Sequence, residues 1–331
     1  MAQPDTDPYV DHSLRTSMFF PATRLFVAGN PKAAGTMLRW WLLEAHGVNV
    51  GERTAHSWWG ESAPFQTVWD AAIDLDFTWG DLSEAQRDDA LTSTDVLTVL
   101  PVRHPVSRLF SAWSGKYLID EPYYAERLSD EFQPLPTTID NEQQIAELFE
   151  QFVVDLHHVV SAGDFESVDV HFWPQHRLLA RRVAGDSLEL RQESMSEGLA
   201  TIAEHLEDHG LTAGEAPRLN ETVVPYRAEL VSDIALTLAA ELYTADFERW
   251  RYDRERPASS SRDVDVDWLN DVRGRNRRYG VLHRSLTQQR AEINALHDEV
   301  GHLRRREQEL LDSTSWKVTR PLRWVSDRVK R

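Results

Sequence analysis

The chain contains no cysteine, and it has no run of about 18 apolar residues that would let a helix cross a bilayer. The absence of thiols excludes disulfides, thiolate nucleophiles and thiolate metal ligands, and it is compatible with a reducing compartment. The first residues also lack the basic stretch and apolar core of a signal peptide. We therefore expect a cytoplasmic protein whose chemistry depends on other side chains.

Positive charge is scarce in most of the chain. The net charge is −18 over 331 residues, yet residues 273–331 hold 15 lysines and arginines against 7 acidic residues. The remaining residues therefore carry an acidic excess of 26. Because a body this acidic repels nucleic acid, we expect no nucleic-acid partner. An anionic small ligand would need a local basic site.

Apolar segments typical of strands alternate with segments of helical periodicity over most of the chain. The predicted strands are Arg24–Gly29, Asp95–Arg103 and Ser167–Trp173. The predicted helices are Thr36–Gly47, Pro105–Tyr117, Ile145–Val160 and Ala228–Trp250. With 41% hydrophobic residues, this alternation predicts an α/β fold, a three-layer sandwich with a central parallel sheet flanked by helices.

Composition divides the chain into five predicted segments. They are a lead-in at 1–22, an α/β domain at 23–255, a Pro/Ser-rich linker at 256–272, a coiled coil at 273–312 and a basic amphipathic tail at 313–331. Nine seam positions of the coiled coil alternate spacings of four and three, and seven are apolar. These positions are Leu282, Leu286, Gln289, Ile293, Leu296, Val300, Leu303, Glu307 and Leu310. We expect a homo-oligomer through this C-terminal coiled-coil helix, and its order stays open.

The first motif is FVAGNPKAAGT, Phe26–Thr36. A strand, a tight turn and a helix N-terminus together form an anion site, because unpaired backbone N–H groups and the helix dipole point at the ligand. Gly35 lets an anion approach the backbone, and Thr36 adds a hydroxyl donor. The segment fails the nucleotide-triphosphatase pattern GxxxxGK[ST], since its lysine is Lys32, upstream of the glycine.

The second motif is VRHPVSRLFSAW, Val102–Trp113. Helical spacing divides it into two faces. The apolar face comprises Val106, Leu109, Phe110 and Trp113, and the polar face comprises His104, Ser107, Arg108 and Ser111. Arg103 precedes the helix and has the bidentate geometry that suits phosphate. The alternative for Arg103 and Arg108 is a structural ion-pair network.

Both motifs resemble those of sulfotransferases that use 3′-phosphoadenosine-5′-phosphosulfate (PAPS) as donor. The order Pro-Lys-x-x-Gly-Thr resembles their 5′-phosphosulfate loop, and Arg-x-Pro followed by Arg-Leu and Ser-Ala-aromatic resembles their 3′-phosphate site. The context looks most like the Golgi-type, family 2-like carbohydrate sulfotransferases, here as a bacterial-type member with a C-terminal coiled coil. His104 is a departure, because the family commonly has Asp there, and we interpret it as a poorer helix cap.

Three weaker matches extend the resemblance over roughly residues 24–252. They are HFWPQH at His171–His176, RLNET at Arg218–Thr222 and LYTADFERWRY at Leu242–Tyr252. In the first, His171 is predicted to bind substrate, although a polar cluster that fixes a loop explains His171 and Gln175 equally well. In the second, Asn220 and Thr222 are candidates for contact with the nucleotide.

The resemblance implies a P-loop-like fold and in-line transfer of a sulfuryl group from PAPS to a hydroxyl of a carbohydrate or glycoconjugate, without a metal. It implies that Lys32 stabilises the leaving group, while Arg103 and Ser111 hold the 3′-phosphate. The donor-binding residues that it implies are Lys32, Ala33, Ala34, Gly35, Thr36, Met37, Arg103, Ser111 and Asn220. The product is then PAP, adenosine 3′,5′-bisphosphate.

A general base must also take the proton of the acceptor hydroxyl. Related enzymes place a His or Glu after the first loop, and the segment GERTAHSWWGE, Gly51–Glu61, lies there. His56 is the predicted base, because imidazole titrates near neutral pH, and Trp58 is predicted to stack on a sugar. The alternative bases are Glu52, Glu61 and Glu44.

Two other classes of function stay open on the sequence alone. A small-molecule kinase would use the first loop for ATP, and a non-catalytic scaffold would act through its coiled coil in polysaccharide assembly. The tail mixes six basic residues with tryptophans, a composition that binds anionic membrane surfaces; a solvated oligomerisation stalk is the alternative. We expect a glycan or glycolipid acceptor and peripheral association with the cytoplasmic face of the inner membrane.

Overall fold

The computed structural model describes residues 7–50, 77–121, 132–180, 185–217 and 222–319. The chain forms two compact units, Met1–Gly274 and Arg275–Arg331. None of the helices in the described ranges is long and apolar enough to cross a membrane.

The first unit contains a four-stranded sheet in the order β1-β2-β3-β4. Its strands are β1 Met18–Phe20, β2 Leu25–Val27, β3 Leu97–Val102 and β4 Ser187–Arg191. Strands β2, β3 and β4 run parallel, with Leu25 beside Leu97 and Val99 beside Leu188. The edge strand β1 pairs antiparallel with β2. The predicted parallel sheet is therefore confirmed for three strands, and the fourth runs in the opposite direction.

The described part of the chain contains eleven α-helices. They are α1 Pro8–Arg15, α2 Gly35–Ala45, α3 Glu84–Thr92, α4 Pro105–Ala112, α5 Glu142–Ala162, α6 Gln175–Leu178, α7 Met195–Asp208, α8 Asp233–Leu242, α9 Thr244–Trp250, α10 Val266–Asp312 and α11 Thr314–Val318. Polar residues fix where several of them begin. The Asn141 side chain, for example, accepts the N–H of Gln144 at the start of α5.

Apolar side chains cover both faces of the sheet. On one face, Leu25 and Val27 pack with side chains of α2 and α7. On the other face, Phe26 and Val102 pack with side chains of α3 and α6. A third apolar cluster joins α4, α5 and α8. Because β1, β2 and most of β3 are buried, with helices on both sides of the sheet, the arrangement is a three-layer α/β sandwich.

The prediction of a strand over Ser167–Trp173 is wrong. The segment lies in two 3₁₀ turns, Phe165–Ser167 and Val170–Phe172. Asp164 accepts the N–H of Phe165, and Asp169 accepts the N–H of His171. These local side-chain bonds satisfy the backbone without a neighbouring strand, and so they compete with the sheet.

The single late helix predicted over Ala228–Trp250 is three elements in the structure. A 3₁₀ turn, Ala228–Leu230, precedes α8, and Tyr243 separates α8 from α9. The Tyr243 hydroxyl donates to the carbonyl of Phe172 at 2.7 Å. The break therefore fixes this tyrosine against the second 3₁₀ turn.

Two predicted segments contain more regular structure than their names imply. The lead-in contains α1 and β1, and its Tyr9 is fully buried. The linker contains the start of α10, where Leu269 is buried. One turn further along α10, the buried Arg273 donates to Asp120 at 3.1 Å and to the carbonyl of Pro136 at 2.7 Å. The first compact unit accordingly extends through Gly274.

Candidate active site

The first motif forms a turn between β2 and α2, as predicted. Lys32 and Ala34 have positive φ angles of 66° and 58°, which are costly for residues with a side chain. Left-handed Ala34 is followed directly by helical Gly35, and such alternation points successive N–H groups to one side. Ala34 has no side-chain cap for the first turn of α2. These N–H groups therefore form a concave donor surface for an anion.

A π-helical turn, Trp113–Leu118, follows α4 and faces this loop. A Cβ atom on Gly115 would lie 2.8 Å from Lys32 Nζ and 3.9 Å from Thr222 Cγ2. Glycine at this position gives the lysine amine the room that a side chain would take. Single π-turns inside helices occur frequently at functional sites. The helix predicted to continue to Tyr117 contains no sequence signal for this change.

Three cationic side chains, Lys116, Arg103 and Arg108, converge on the amine of Lys32. Burial lowers the pKa of Lys32 to about 7, with further lowering by Lys116, Arg103 and Arg108. No acidic group of the described residues raises the pKa of Lys32. Burial also lowers the pKa of Lys116. These positive charges repel one another and have no carboxylate at their centre. A multiply charged anion would stabilise such a cluster.

Arg103 follows β3 and lies against the loop. Its Nη1 donates to the carbonyl of Lys32 at 3.3 Å, and its Nε donates to the hydroxyl of Ser107 at 3.1 Å. Burial lowers the pKa of Arg103 to about 10, while Glu193 opposes the shift. The buried Ser111 lies one helical turn beyond Ser107. The two motifs therefore form adjoining parts of one site.

Arg108 differs from its predicted role on an open polar face. Its side chain is buried, with Nε donating to the carbonyl of Pro31 at 2.9 Å and Nη1 donating to the carbonyl of Trp173 at 2.8 Å. Its remaining nitrogen, Nη2, is buried and has no hydrogen-bond partner within the described ranges. Arg108 thus links the loop to the second 3₁₀ turn and adds charge to the cluster.

His104 has the capping role predicted for it. Its Nδ1 accepts the N–H of Val106 at 3.3 Å, and its Nε2 lies 3.0 Å from the carbonyl of Asp253, to which it donates in that tautomer. Burial lowers the pKa of His104, which favours the neutral ring. Histidine at this position therefore caps the helix without adding a negative charge beside Arg103.

Gln175 fixes the positions of both motifs. Its Oε1 accepts the N–H of Arg103 at 3.0 Å and the side-chain N–H of Asn30 at 2.9 Å, while its Nε2 donates to the carbonyl of Arg103 at 2.8 Å. Its backbone N–H donates to Asp246 at 2.8 Å. The two weak motifs that contain Gln175 and Asp246 therefore position the site, and the polar-cluster alternative holds for Gln175.

Replacing Gln175 with alanine is expected to destabilise the folded chain by about 3 kcal/mol, because each buried polar group left without a partner costs about 1–3 kcal/mol. Urea unfolding followed by tryptophan fluorescence measures this change. Gln143→Ala is the matched control, since Gln143 lies on the exposed side of α5 and bonds only Glu147 in the described structure. Equal unfolding midpoints for the two variants would contradict the positioning role.

His171 lies close enough to Lys116 and Lys32 to interact with their charges, and it bonds to the carboxylate of Asp169. Its Nδ1 lies 2.6 Å from Asp169 Oδ1, and its backbone N–H donates to the same oxygen at 2.9 Å. The side chain is 16% exposed. Burial lowers the pKa of His171 to about 4; Asp169 opposes this shift, while Lys116 and Lys32 add to it. The ring is therefore neutral at neutral pH and lies near the lysine amine.

Several predicted site residues lie outside the described ranges. They are His56, Trp58 and Asn220, together with the alternative bases Glu52 and Glu61. Their roles stay predictions. The third alternative base, Glu44, accepts the indole N–H of Trp40 at 2.7 Å in the last turn of α2, at the end away from the loop. Of the remaining loop residues, Ala33 is buried, and Thr36 and Met37 belong to the first turn of α2.

The side chains around the lysine suit a ligand that carries phosphate groups. Besides Arg108 Nη2, two buried hydroxyl groups, Tyr226 Oη and Ser114 Oγ, have no partner among the described residues. Burial raises the pKa of Tyr226, and the charges of Arg256 and, to a smaller extent, Arg103 oppose this shift. Charged and neutral donors in this combination bind phosphate oxygens. No group of side chains able to hold a metal ion occurs in the described ranges. The fold and the site together define an α/β protein with a buried cationic cluster beside the turn between β2 and α2.

Comparison with family models identifies the class of enzyme. The model of the sulfotransferase family matches residues 76–253, more than half of the chain. The chain therefore belongs to the sulfotransferase family, whose enzymes transfer sulfuryl groups and generally take them from PAPS. The match contains Arg103, Gln175 and Asp246 and begins after the loop of Lys32. The searches of curated proteins and of solved structures returned no match.

Proposed function

We propose that the chain transfers a sulfuryl group from PAPS to a hydroxyl of a carbohydrate or glycoconjugate. The observation that carries this proposal is the convergence of Lys116, Arg103 and Arg108 on Lys32, in a loop that leads into a helix start without a side-chain cap. PAPS, when bound, supplies the activated sulfuryl group. Its two phosphate-bearing ends match the two adjoining donor clusters, one at the loop and one at Arg103.

In this proposal the first cluster holds the phosphosulfate end of the donor. Backbone N–H groups from Ala33 to Thr36 surround the anion, and the Lys32 amine donates to the oxygen on which charge develops as the sulfur–oxygen bond breaks. A lysine with a pKa of about 7 changes its protonation state at little cost near neutral pH. Lys32 therefore suits stabilisation of the leaving phosphate.

The second cluster holds the 3′-phosphate. Arg103 already uses Nη1 and Nε for the loop carbonyl and Ser107, so its position is fixed before a ligand arrives. Its guanidinium charge, together with the Ser111 hydroxyl, supplies the donors for a phosphate monoester. A pre-positioned arginine loses less side-chain freedom on binding than a mobile one.

Among the described residues, we propose His171 as the base that takes the acceptor proton, because its ring interacts with the charges of Lys116 and Lys32. The bond to Asp169 fixes the tautomer that carries its proton on Nδ1, so that Nε2 holds the lone pair. The lowered pKa of His171 keeps the ring neutral at neutral pH, so Nε2 can accept a proton, although with less driving force than an unperturbed histidine would have. His56 stays the alternative base predicted from the sequence.

The donor assignment predicts micromolar or tighter binding of PAP, with weaker binding of ATP, in calorimetric titrations of the full chain. Arg103→Ala is expected to weaken PAP binding about 10- to 150-fold, because hydrogen bonds to charged groups contribute about 1.5–3 kcal/mol. Arg254→Ala is the control, since Arg254 is exposed and lies 3.8 Å from Glu248.

Two outcomes would overturn the donor assignment. The wild type would show no PAP binding well above micromolar concentration, or it would bind ATP more tightly than PAP, as the kinase alternative requires. The order of the loop already argues against that alternative, because Lys32 precedes Gly35 and cannot take the usual place beside the terminal phosphates. Turnover of PAPS separates the enzyme from a non-catalytic scaffold.

The nature of the acceptor and the membrane association stay proposals from the sequence. Residues 320–331, which hold most of the basic charge of the tail, lie outside the described ranges. The described part of the tail contains α11, where Lys317 pairs with Asp312 at 3.3 Å. We propose a glycan or glycolipid acceptor, reached by an enzyme held peripherally at the inner membrane.

A further inference from the structure

Helix α10 exposes a line of large apolar side chains in the second compact unit. Seven of them are between 44% and 60% exposed: Leu282, Leu286, Ile293, Leu296, Val300, Leu303 and Leu310. A line of this length on one helix face costs free energy in water unless another apolar surface covers it. The described residues beside this line are mostly polar and exposed.

The spacing of these side chains identifies the kind of surface that covers them. Alternating steps of four and three give a period of 3.5 residues, which fits two or more helices in a left-handed supercoil. In heptad notation the a positions are Leu286, Ile293, Val300 and Glu307, and the d positions are Leu282, Gln289, Leu296, Leu303 and Leu310. The partner surface is therefore a helix with the same repeat.

The residues in the centre of the seam select the number of strands. Ile293 and Val300 are β-branched residues at a, while Leu296 and Leu303 occupy d. β-branched residues at a combined with leucine at d favour parallel dimers over trimers and tetramers. The polar Gln289 further restricts the register, because a shifted pairing would place it against an apolar residue.

Charges beside the seam select the orientation. In a parallel pair in register, a g residue faces the e residue five positions later on the other helix. Glu299 then faces Arg304 of the second copy, and Glu292 faces His297 of the second copy. An antiparallel pair centred on Leu296 would instead bring Glu292 towards Glu299, which is unfavourable.

We propose that Leu282–Leu310 of two copies of this chain forms a parallel, two-stranded coiled coil in register. The proposal rests on the exposed seam, its residue types and its flanking charges, and it does not depend on the reaction at the active site. The second copy is the occupant that the pattern fits, because only an identical helix repeats the same seam and charges in the same order.

The mass of the full chain in solution tests the number of strands. Light scattering at tens of micromolar is expected to give twice the mass of one chain, and Leu296→Asp is expected to reduce it to one. Ala295→Asp introduces the same charge at the adjacent exposed position outside the seam and should leave the dimer intact. A wild type of one, three or four chains would overturn the proposal.

The absence of native cysteine makes orientation directly measurable. Leu282→Cys and Leu310→Cys each introduce one thiol at a d position near one end of the seam. A parallel pair brings identical d residues within disulfide distance, so each variant should oxidise to a covalent dimer by itself. In an antiparallel pair the two ends lie about 40 Å apart. Crosslinking only when the two variants are mixed would therefore overturn the parallel arrangement.

Discussion

Replacing Lys32 with methionine is expected to lower the rate of sulfuryl transfer by about 10²- to 10³-fold, the usual cost of removing one preorganised donor to a developing oxyanion. Methionine keeps the length of the side chain and removes its charge. The folded chain should not lose stability, because burial and three neighbouring cations already lower the pKa of Lys32. Loss of rate without loss of stability separates a chemical role from a structural one.

Initial rates of PAP formation from PAPS, with saturating donor and a panel of glycan acceptors, measure this effect. Lys317→Met is the matched control, since Lys317 is an exposed lysine on α11. A Lys32→Met rate within a few-fold of the wild type would exclude the proposed role in the leaving group.

The pH dependence of PAP binding is a second test of the role proposed for Lys32. With a pKa of about 7 in the ligand-free chain, Lys32 is increasingly neutral as the pH rises above 7. A bound anion raises this pKa, so binding takes up a proton above pH 7 and the affinity for PAP falls as pH increases. The Lys32→Met variant should lose this part of the pH dependence. An unchanged profile in the variant would assign the titration to another group.

The local structure of the two candidate anion-binding motifs could be predicted because it depends on residues close together in the sequence. A strand end, a loop and a helix start within one short segment fix the direction of the Lys32 loop, whatever the rest of the chain does. Arg103 and the cap at His104 follow equally from their place between β3 and α4. The seam of α10 could be predicted for the same reason, since helical periodicity needs no distant partner.

The centre of the site could not be predicted, because it depends on contacts between distant segments. Lys116, which lowers the pKa of Lys32, lies in the π-helical turn. A change from α- to π-helical hydrogen bonding has no sequence pattern of its own. Asp169 and His171 lay in a predicted strand, because the alternation of Val168, Val170 and Phe172 imitates strand periodicity. The capping bonds of aspartate decided the local structure instead.

His171→Ala is expected to lower kcat by about 10²- to 10⁴-fold, the range typical of a lost general base. His157→Ala serves as the control, because His157 is a surface histidine paired with Glu241 at 3.1 Å. The pH profile of kcat/KM, which reports the free enzyme, identifies the base. If His171 is the base, activity persists on the acid side down to its pKa of about 4. An unperturbed histidine would lose activity near pH 6.5.

The variant His171→Asn separates proton transfer from the fixing of the turn. Asparagine can donate a side-chain N–H to Asp169 in place of the imidazole Nδ1, yet it has no group that accepts a proton in this pH range. If the role is structural, asparagine restores much of the rate that alanine loses. If His171 is the base, asparagine and alanine are equally slow. Rescue by asparagine would exclude His171 as the base, and so would an acid limb near pH 6.5 in the wild type. The assignment would then move to a residue such as His56, and His56→Ala would be expected to cause a loss of the same size.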